Sequence, residues 1–198
     1  FAYRSIIHGP FVQHTSRWLF GIFGVSDFTI RLPVALVGGL LPLSALLFRK
    51  RLRRTEVVVL AAFLSFNAVL LYYSRFMRSD VLVGAFMFTA LGLTIRFLDT
   101  RKPRYLYGIT AFVVLGFASK ENAILYVVTW LGALGLLADR ALDSAGGSAT
   151  GTEKLHTAGR WLWNRNYTSL AVRYGPHAIG SAALGFVLFV FMFAPRGA

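Results

Sequence analysis

Residues 105–138 read YLYGITAFVVLGFASKENAILYVVTWLGALGLLA, a run whose only charges are Lys120 and Glu121. As one straight helix it would be about 50 Å long, against a bilayer hydrocarbon core about 30 Å thick. It is too long for one crossing and suits two. We therefore expect helices over 105–119 and 122–138, joined by a tight turn at "KEN". Inside lipid the backbone must satisfy its own hydrogen bonds, which selects helices over open strands.

Four further runs have the same character: 32–48 (LPVALVGGLLPLSALLF, free of charge), 57–74, 81–95 and 178–194. The run at 81–95 is short, and is extended by Phe97 and Leu98 if Arg96 snorkels. The expected fold class is all-α: a polytopic transmembrane bundle of about six spans. With 56% hydrophobic residues gathered into charge-poor blocks, a soluble fold is disfavoured. There is no cysteine, so there is neither a disulfide framework nor a thiolate metal site. The net charge of +13 could suit nucleic acid, but the basic residues flank apolar blocks and do not line one polar face. Membrane lipid is the expected partner, and nucleic acid is not. The chain opens on Phe1 with no signal-peptide pattern and ends just after an apolar run, so it reads as a piece of a longer membrane protein.

Sidedness follows from the cations. Segments 49–54 (RKRLRR), 96–104 and 139–177 fall on one side and hold 14 of the 21 Lys and Arg residues, which assigns them to the cytoplasm. Segments 1–31, 75–80, 120–121 and the C-terminal tail fall on the outer side. The expected organisation is an extracytoplasmic loop over 1–31, a five-span bundle over 32–138, a cytoplasmic loop over 139–177 and a further span over 178–198.

Within 1–31, Pro10 suits the first position of a helix and Gly24 its end. Phe11, Trp18, Leu19, Ile22 and Phe23 form an apolar stripe, with Gln13, His14 and Arg17 mainly off it, so we expect an amphipathic surface helix. Ser26 can cap the next helix, and Asp27 precedes Arg31 by four residues. The cytoplasmic loop contains the flexible linker SAGGSATGT, then Trp161, Trp163, Tyr167 and Tyr174 among Arg160, Arg165 and Arg173. That mixture suits an interface anchor, with lipid binding as the alternative. The sequon at Asn166 falls on the cytoplasmic side and is discounted.

Two charged knots interrupt the apolar runs on the outer side. In YYSRFMRSD, residues 72–80, Arg75 and Arg78 defy the positive-inside bias. A phosphate would account for them, because guanidinium forks pair with phosphate oxygens in bidentate fashion. Asp80 sits where the first turn of the next helix should be, favoured by the helix dipole. The plainer reading has Asp80 capping a helix while the arginines bind headgroups or pair with it. The second knot is SKEN, residues 119–122, which could simply be a hairpin turn. Together they gather Arg75, Arg78, Asp80, Lys120 and Glu121 on one face with His8, His14 and Arg31. Clustered ionisable groups at membrane depth are a functional hypothesis by default. Cations with a few carboxylates suit a phosphate-bearing substrate and a general base or metal. Other chemistries fare worse. His8 and His14 lack i, i+4 metal spacing, and no phosphate loop or GxSxG occurs. "VGGL" and "GALG" read as helix-packing sites.

IIHGPFVQHTSRWLFGIFGVSDFTIRLPVALVGGLLPL, then YYSRFMRSD, then SKEN, in this order and spacing, resembles GT-C-type membrane glycosyltransferases. These include protein O-mannosyltransferases and the aminoarabinose transferases of lipid A, and the likeness is strongest to archaeal flippase activity-associated proteins. The resemblance implies a helix bundle whose first outer loop forms surface helices. It implies a polyprenyl (dolichyl) phosphate sugar as donor, transferred with inversion to an acceptor hydroxyl on the outer face. Asp80 would be a supporting carboxylate, and Arg75, Arg78 and Lys120 would steady the leaving phosphate. Divalent metal use (Mg or Mn) varies across such families and stays open. The family's main acidic motif would lie upstream of Phe1, so this stretch alone is expected to be inactive. The alternative is a non-catalytic role in handling lipid-linked saccharides, since phosphate-binding arginines serve both.

Overall fold

A computed structural model describes residues 9–76, 78–146 and 167–194. Among the described residues there are helices and turns and no strand. In chain order they are α1 (Pro10–Phe23), α2 (Asp27–Leu40), a 3₁₀ helix η1 (Leu41–Phe48), α3 (Arg54–Phe66), α4 (Ala68–Ser74), α5 (Ser79–Thr100), α6 (Arg104–Ser119), α7 (Ala123–Gly146) and α8 (Tyr167–Phe193). The long run over 105–138 does break at the expected place, with Lys120 extended between α6 and α7. Four helical stretches are long and apolar enough to cross a bilayer: Asp27–Phe48, Ser79–Thr100, Ala123–Arg140 and Val172–Phe193. The α3–α4 pair makes a fifth if its two parts count as one span, and α6 is apolar but only 16 residues long.

Local chemistry explains the boundaries. Pro10 opens α1 and Gly24 closes it with φ 74°, a conformation that favours glycine. Ser26 caps α2: its Oγ accepts from the Thr29 amide at 3.2 Å, and Thr29 Oγ1 accepts from the Ser26 amide at 2.9 Å. This is a reciprocal capping box with threonine in the usual acid's place. Pro42 cannot donate an α-helical bond, and α2 tightens into η1 there. The run 57–74, expected as one span, is broken in the structure by a bend of 46° between α3 and α4. The cause is Asn67, in extended conformation, whose side-chain oxygen accepts from the amides of Val69 and Leu70, both at 3.0 Å.

Two compact units divide the chain, Phe1–Ala123 with His177–Ala198 and, separately, Ile124–Pro176. In the first, α5 is the central helix. It runs antiparallel to α6 across the short corner 101–103 and also packs on α2 and η1. Arg101 turns that corner with φ 53°. Val12, Val34, Val81, Leu82 and Phe86 form the core, with Phe11, Val37, Tyr73, Phe112 and Leu115 packed against it. The Phe11 ring meets Phe86 edge-on at 5.1 Å. Between helices surrounded by lipid the gain from such contacts is van der Waals packing, not removal of apolar surface from water. The last part of α8 lies close to α6: a Cβ at Gly180 would sit 2.7 Å from Tyr107 Oη, and one at Gly185 2.6 Å from Thr110 Cγ2. Small residues permit this approach, as they do where membrane helices associate.

α1 rests on the bundle through Val12 and Ser16, one turn apart, while Trp18, Ile22 and Phe23 are exposed. Arg96 does not snorkel; it is 6% exposed and packed inside the protein. In the second unit α7 carries exposed Leu131, Leu134 and Leu137 along its length, an apolar surface suited to lipid. The linker over 147–152 and the aromatic-basic residues Arg160, Trp161, Trp163 and Arg165 lie outside the described residues, and so does Asn166.

Candidate functional site

The three sequence features meet at one end of the first unit. α4 ends on Tyr72, Tyr73 and Ser74, and the chain turns through Phe76, whose amide donates to the Tyr73 carbonyl at 3.2 Å. Arg78 follows as the extended N-cap residue of α5. That conformation lays its guanidinium over the Tyr73 ring, 4.9 Å from the centroid, with Nε 3.0 Å from Asp80 Oδ2. Asp80 sits in the first turn of α5, where unpaired amides and the helix dipole favour a carboxylate. On the other side Lys120 leaves the C-terminus of α6, the favoured end for a cation, and its Nζ lies 2.6 Å from Asp80 Oδ1. One carboxylate thus bridges two cations from two helix ends, using a different oxygen for each.

Gly9 closes this corner against the end of α6. The Gly9 amide donates to the Ser119 carbonyl at 3.0 Å. A Cβ on Gly9 would overlap the Ala118 carbonyl oxygen and stand 2.6 Å from the Ala118 carbonyl carbon and 2.8 Å from that of Ser119. These are backbone atoms, so no side chain can move aside. Glycine is required here by the closeness of two backbones, not by its φ of −61°.

The cluster is partly open. The side chains of Arg78, Asp80 and Lys120 are 51%, 37% and 19% exposed. Ion pairs as exposed as Arg78–Asp80 contribute at most about 1 kcal/mol, so this arrangement matters more for geometry than for stability. The pairing leaves one positive charge over, carried on donors held in fixed positions. Such a surface can hold an anion, and phosphate oxygens are the acceptors that guanidinium and ammonium groups suit best.

The remaining expected site residues are placed as follows. Arg75 caps α4 and is exposed, in no ion pair among the described residues. Glu121 and Arg31 are also exposed and outside the ion-paired cluster. His14 Nε2 donates to the Met192 carbonyl at 2.9 Å, so it ties α1 to the end of α8 and does not reach Asp80. His8 lies outside the described residues. Sequence reasoning did not single out Tyr73 or Gly9. The doubled tyrosine before an arginine was a usable signal for Tyr73, whereas nothing local marks the distant partner of Gly9.

No three His, Asp or Glu side chains converge among the described residues, and both Asp80 oxygens already face cations.

Two further observations come from comparison with known proteins. A family model described as dolichyl-phosphate-mannose-protein mannosyltransferase matches residues 7–146, which include all three converging features. No curated protein and no solved structure matches the chain.

Proposed function

The chain belongs to the dolichyl-phosphate-mannose-protein mannosyltransferase family, and from that premise we propose that it binds the phosphate of a polyprenyl-phosphate sugar at Arg78 and Lys120 and serves transfer of that sugar to an acceptor hydroxyl on the outer membrane face. The membership makes it a multi-pass membrane protein of glycosyl transfer. The observation that carries the finer reading is the Arg78–Asp80–Lys120 bridge, which lies within the matched residues.

In this reading the acceptor oxygen attacks the anomeric carbon as the bond from that carbon to the lipid phosphate oxygen breaks, and the acceptor's hydroxyl proton passes to a general-base carboxylate other than Asp80. The electron pair stays on the phosphate, where Arg78 and Lys120 offset the growing charge. Arg75, exposed at the end of α4, is a third cation available to the same phosphate. Asp80 positions the two cations and is not the base, since both its oxygens are engaged. The basic loops at the opposite end face the cytoplasm by the positive-inside bias. Residues 9–26, ahead of the first crossing, belong to the outer loop in this reading, and the exposed Trp18, Ile22 and Phe23 of α1 enter the interface.

The commitment of Asp80 to two cations also favours a second reading, in which the site grips a lipid phosphate without chemistry and helps handle lipid-linked saccharides. One experiment separates the two. Full-length protein in detergent is incubated with a radiolabelled polyprenyl-phosphate sugar and an acceptor extract, and free polyprenyl phosphate is measured. The transferase reading expects its release, cut at least about tenfold by Arg78→Ala through loss of a charge-assisted bond. Donor binding without release selects the handling role. Wild-type release by Arg78→Ala together with Lys120→Ala refutes the site.

A further inference from the structure

The other end of the first unit carries a second, denser set of charges. Arg49, Lys50, Arg51, Arg53 and Arg54 lie in one loop or just beyond it, and Arg96, Arg101, Lys102 and Arg104 surround the α5–α6 corner. Among the described residues of the first unit Glu56 and Asp99 are the acids at this end, and the Glu56 carboxylate accepts from the Arg53 amide at 2.8 Å.

The corner is built, not merely basic. Arg51 reaches across from the loop and places both Nε and Nη2 on the same oxygen of Asp99, at 2.8 and 2.7 Å. The second oxygen, Asp99 Oδ2, is buried and has no donor. One turn earlier on α5, Arg96 is 94% buried and its Nη1 has no acceptor among the described residues. The Tyr105 hydroxyl lies by Arg96 and accepts from Arg104 Nη2 at 3.3 Å. A buried donor and a buried acceptor left without partners are each costly. Here they stand three residues apart on one helix, about 4.5 Å along its axis. Arg96 stands near the end of α5 yet is buried in protein, and a buried arginine without a full set of acceptors is a candidate for a ligand.

We propose that this corner binds the headgroup of an anionic membrane phospholipid that also carries hydroxyl groups, of the phosphoglycerol type. A phosphate oxygen supplies the acceptor missing at Arg96 Nη1, with Arg104 and Arg51 as further donors. A headgroup hydroxyl supplies the donor missing at Asp99 Oδ2. A choline headgroup offers no such donor, and its own cation opposes binding here. Arg96 Nη1 has no exposed surface, so occupancy requires side chains to turn. Arg51, 62% exposed and held by Asp99 alone, has the freedom to do so. The site is independent of the sugar-transfer reading, which concerns the opposite end.

The test uses the full chain in neutral detergent, titrated with short-chain phosphatidylglycerol, phosphatidylcholine or inorganic phosphate. Lipid retention is read by native mass spectrometry and protection by the shift in melting temperature. We expect one phosphatidylglycerol retained saturably, in clear preference to phosphatidylcholine. Arg96→Gln should weaken retention at least about tenfold, by loss of a charge-assisted bond. If that buried variant fails to fold, Arg104→Gln on the exposed side provides the reading and should weaken retention by a similar factor. Lys50→Gln, exposed and in no ion pair among the described residues, should change it less than about twofold, as a diffuse surface charge does. Equal retention of both lipids overturns the proposal, and so does a loss in Lys50→Gln as large as in Arg104→Gln. Protection by inorganic phosphate equal to that by phosphatidylglycerol would assign the corner to soluble phosphate and overturn the lipid assignment.

Discussion

Gly9→Ala is the substitution that most directly probes how the candidate site is assembled. The added Cβ would overlap the Ala118 carbonyl oxygen and crowd two backbone carbons at 2.6 and 2.8 Å. The obstacle is itself well held: the Lys120 amide donates to Gly116, and Ser119 Oγ donates to Leu115 at 2.8 Å. The last turn of α6 therefore stays, and residue 9 must lift away. Overpacking of this kind costs about 1–3 kcal/mol. Loss of the bond from the Gly9 amide to Ser119 adds about 0.5–1.5 kcal/mol. For a unit of this size each kcal/mol corresponds to roughly 2–4 °C, so melting should fall by several degrees. Transfer or donor binding should fall with it, because Lys120 immediately follows Ser119. The assay is thermal unfolding in detergent alongside donor retention, with Gly39→Ala as control. A Cβ at Gly39 meets nothing within 4 Å, and alanine there should gain up to about 1 kcal/mol of helix propensity. If Gly9→Ala matches wild type in both readings, the close approach of the two backbones is wrong.

Asp80→Asn should leave insertion intact but release Lys120 and Arg78 from fixed positions, lowering transfer at least about tenfold in the release assay, while donor retention, with two uncompensated charges, does not fall. Asn67→Ala removes the cap shared by Val69 and Leu70 and should cost about 1 kcal/mol, seen as lower melting and faster proteolysis around the α3–α4 bend. Gly92→Ala puts a Cβ 2.8 Å from Leu47 Cδ1 and 2.9 Å from its Cβ; the latter cannot swing away, so a loss of about 1–3 kcal/mol in thermal unfolding is expected. Gly116→Ala meets mainly the flexible Met87 thioether, at 2.6 Å, and should be better tolerated in the same measurement.

The all-helical, apolar character was legible because lipid imposes it on any crossing helix, and the break at Lys120–Asn122 follows from length together with its charges. Of the six expected spans, four stretches, or five with the bent α3–α4 pair, are long enough to cross, and α6 has only 16 residues. The pairing of Arg78 with Asp80 was one of the readings open from sequence, since only Ser79 lies between them. The bond from Lys120 to Asp80 was not readable, because nothing local says that α5 and α6 lie side by side. Gly9 illustrates the same limit: its partner Ser119 is far along the chain, and glycine before proline reads equally well as an ordinary turn. Asn67 was readable in principle, as an N-capping residue in the middle of an apolar run, but hydropathy averages over a single polar side chain. The burial of Arg96 depended on whether η1 or lipid covered that face of α5, which composition cannot decide.

The Arg78–Asp80–Lys120 bridge has a consequence for the order of events in a catalytic cycle. A sugar-linked lipid phosphate is a diester with a single negative charge. Once the sugar has left, the lipid phosphate is a monoester that carries about −1.5 to −2 at neutral pH. A site with one uncompensated positive charge holds the second species more strongly than the first. Under the proposed transfer reaction the spent carrier is then a competitive inhibitor of the next donor, and its departure from the cluster becomes a step of the cycle that binding opposes. Raising ionic strength would speed that step until donor capture itself began to fail.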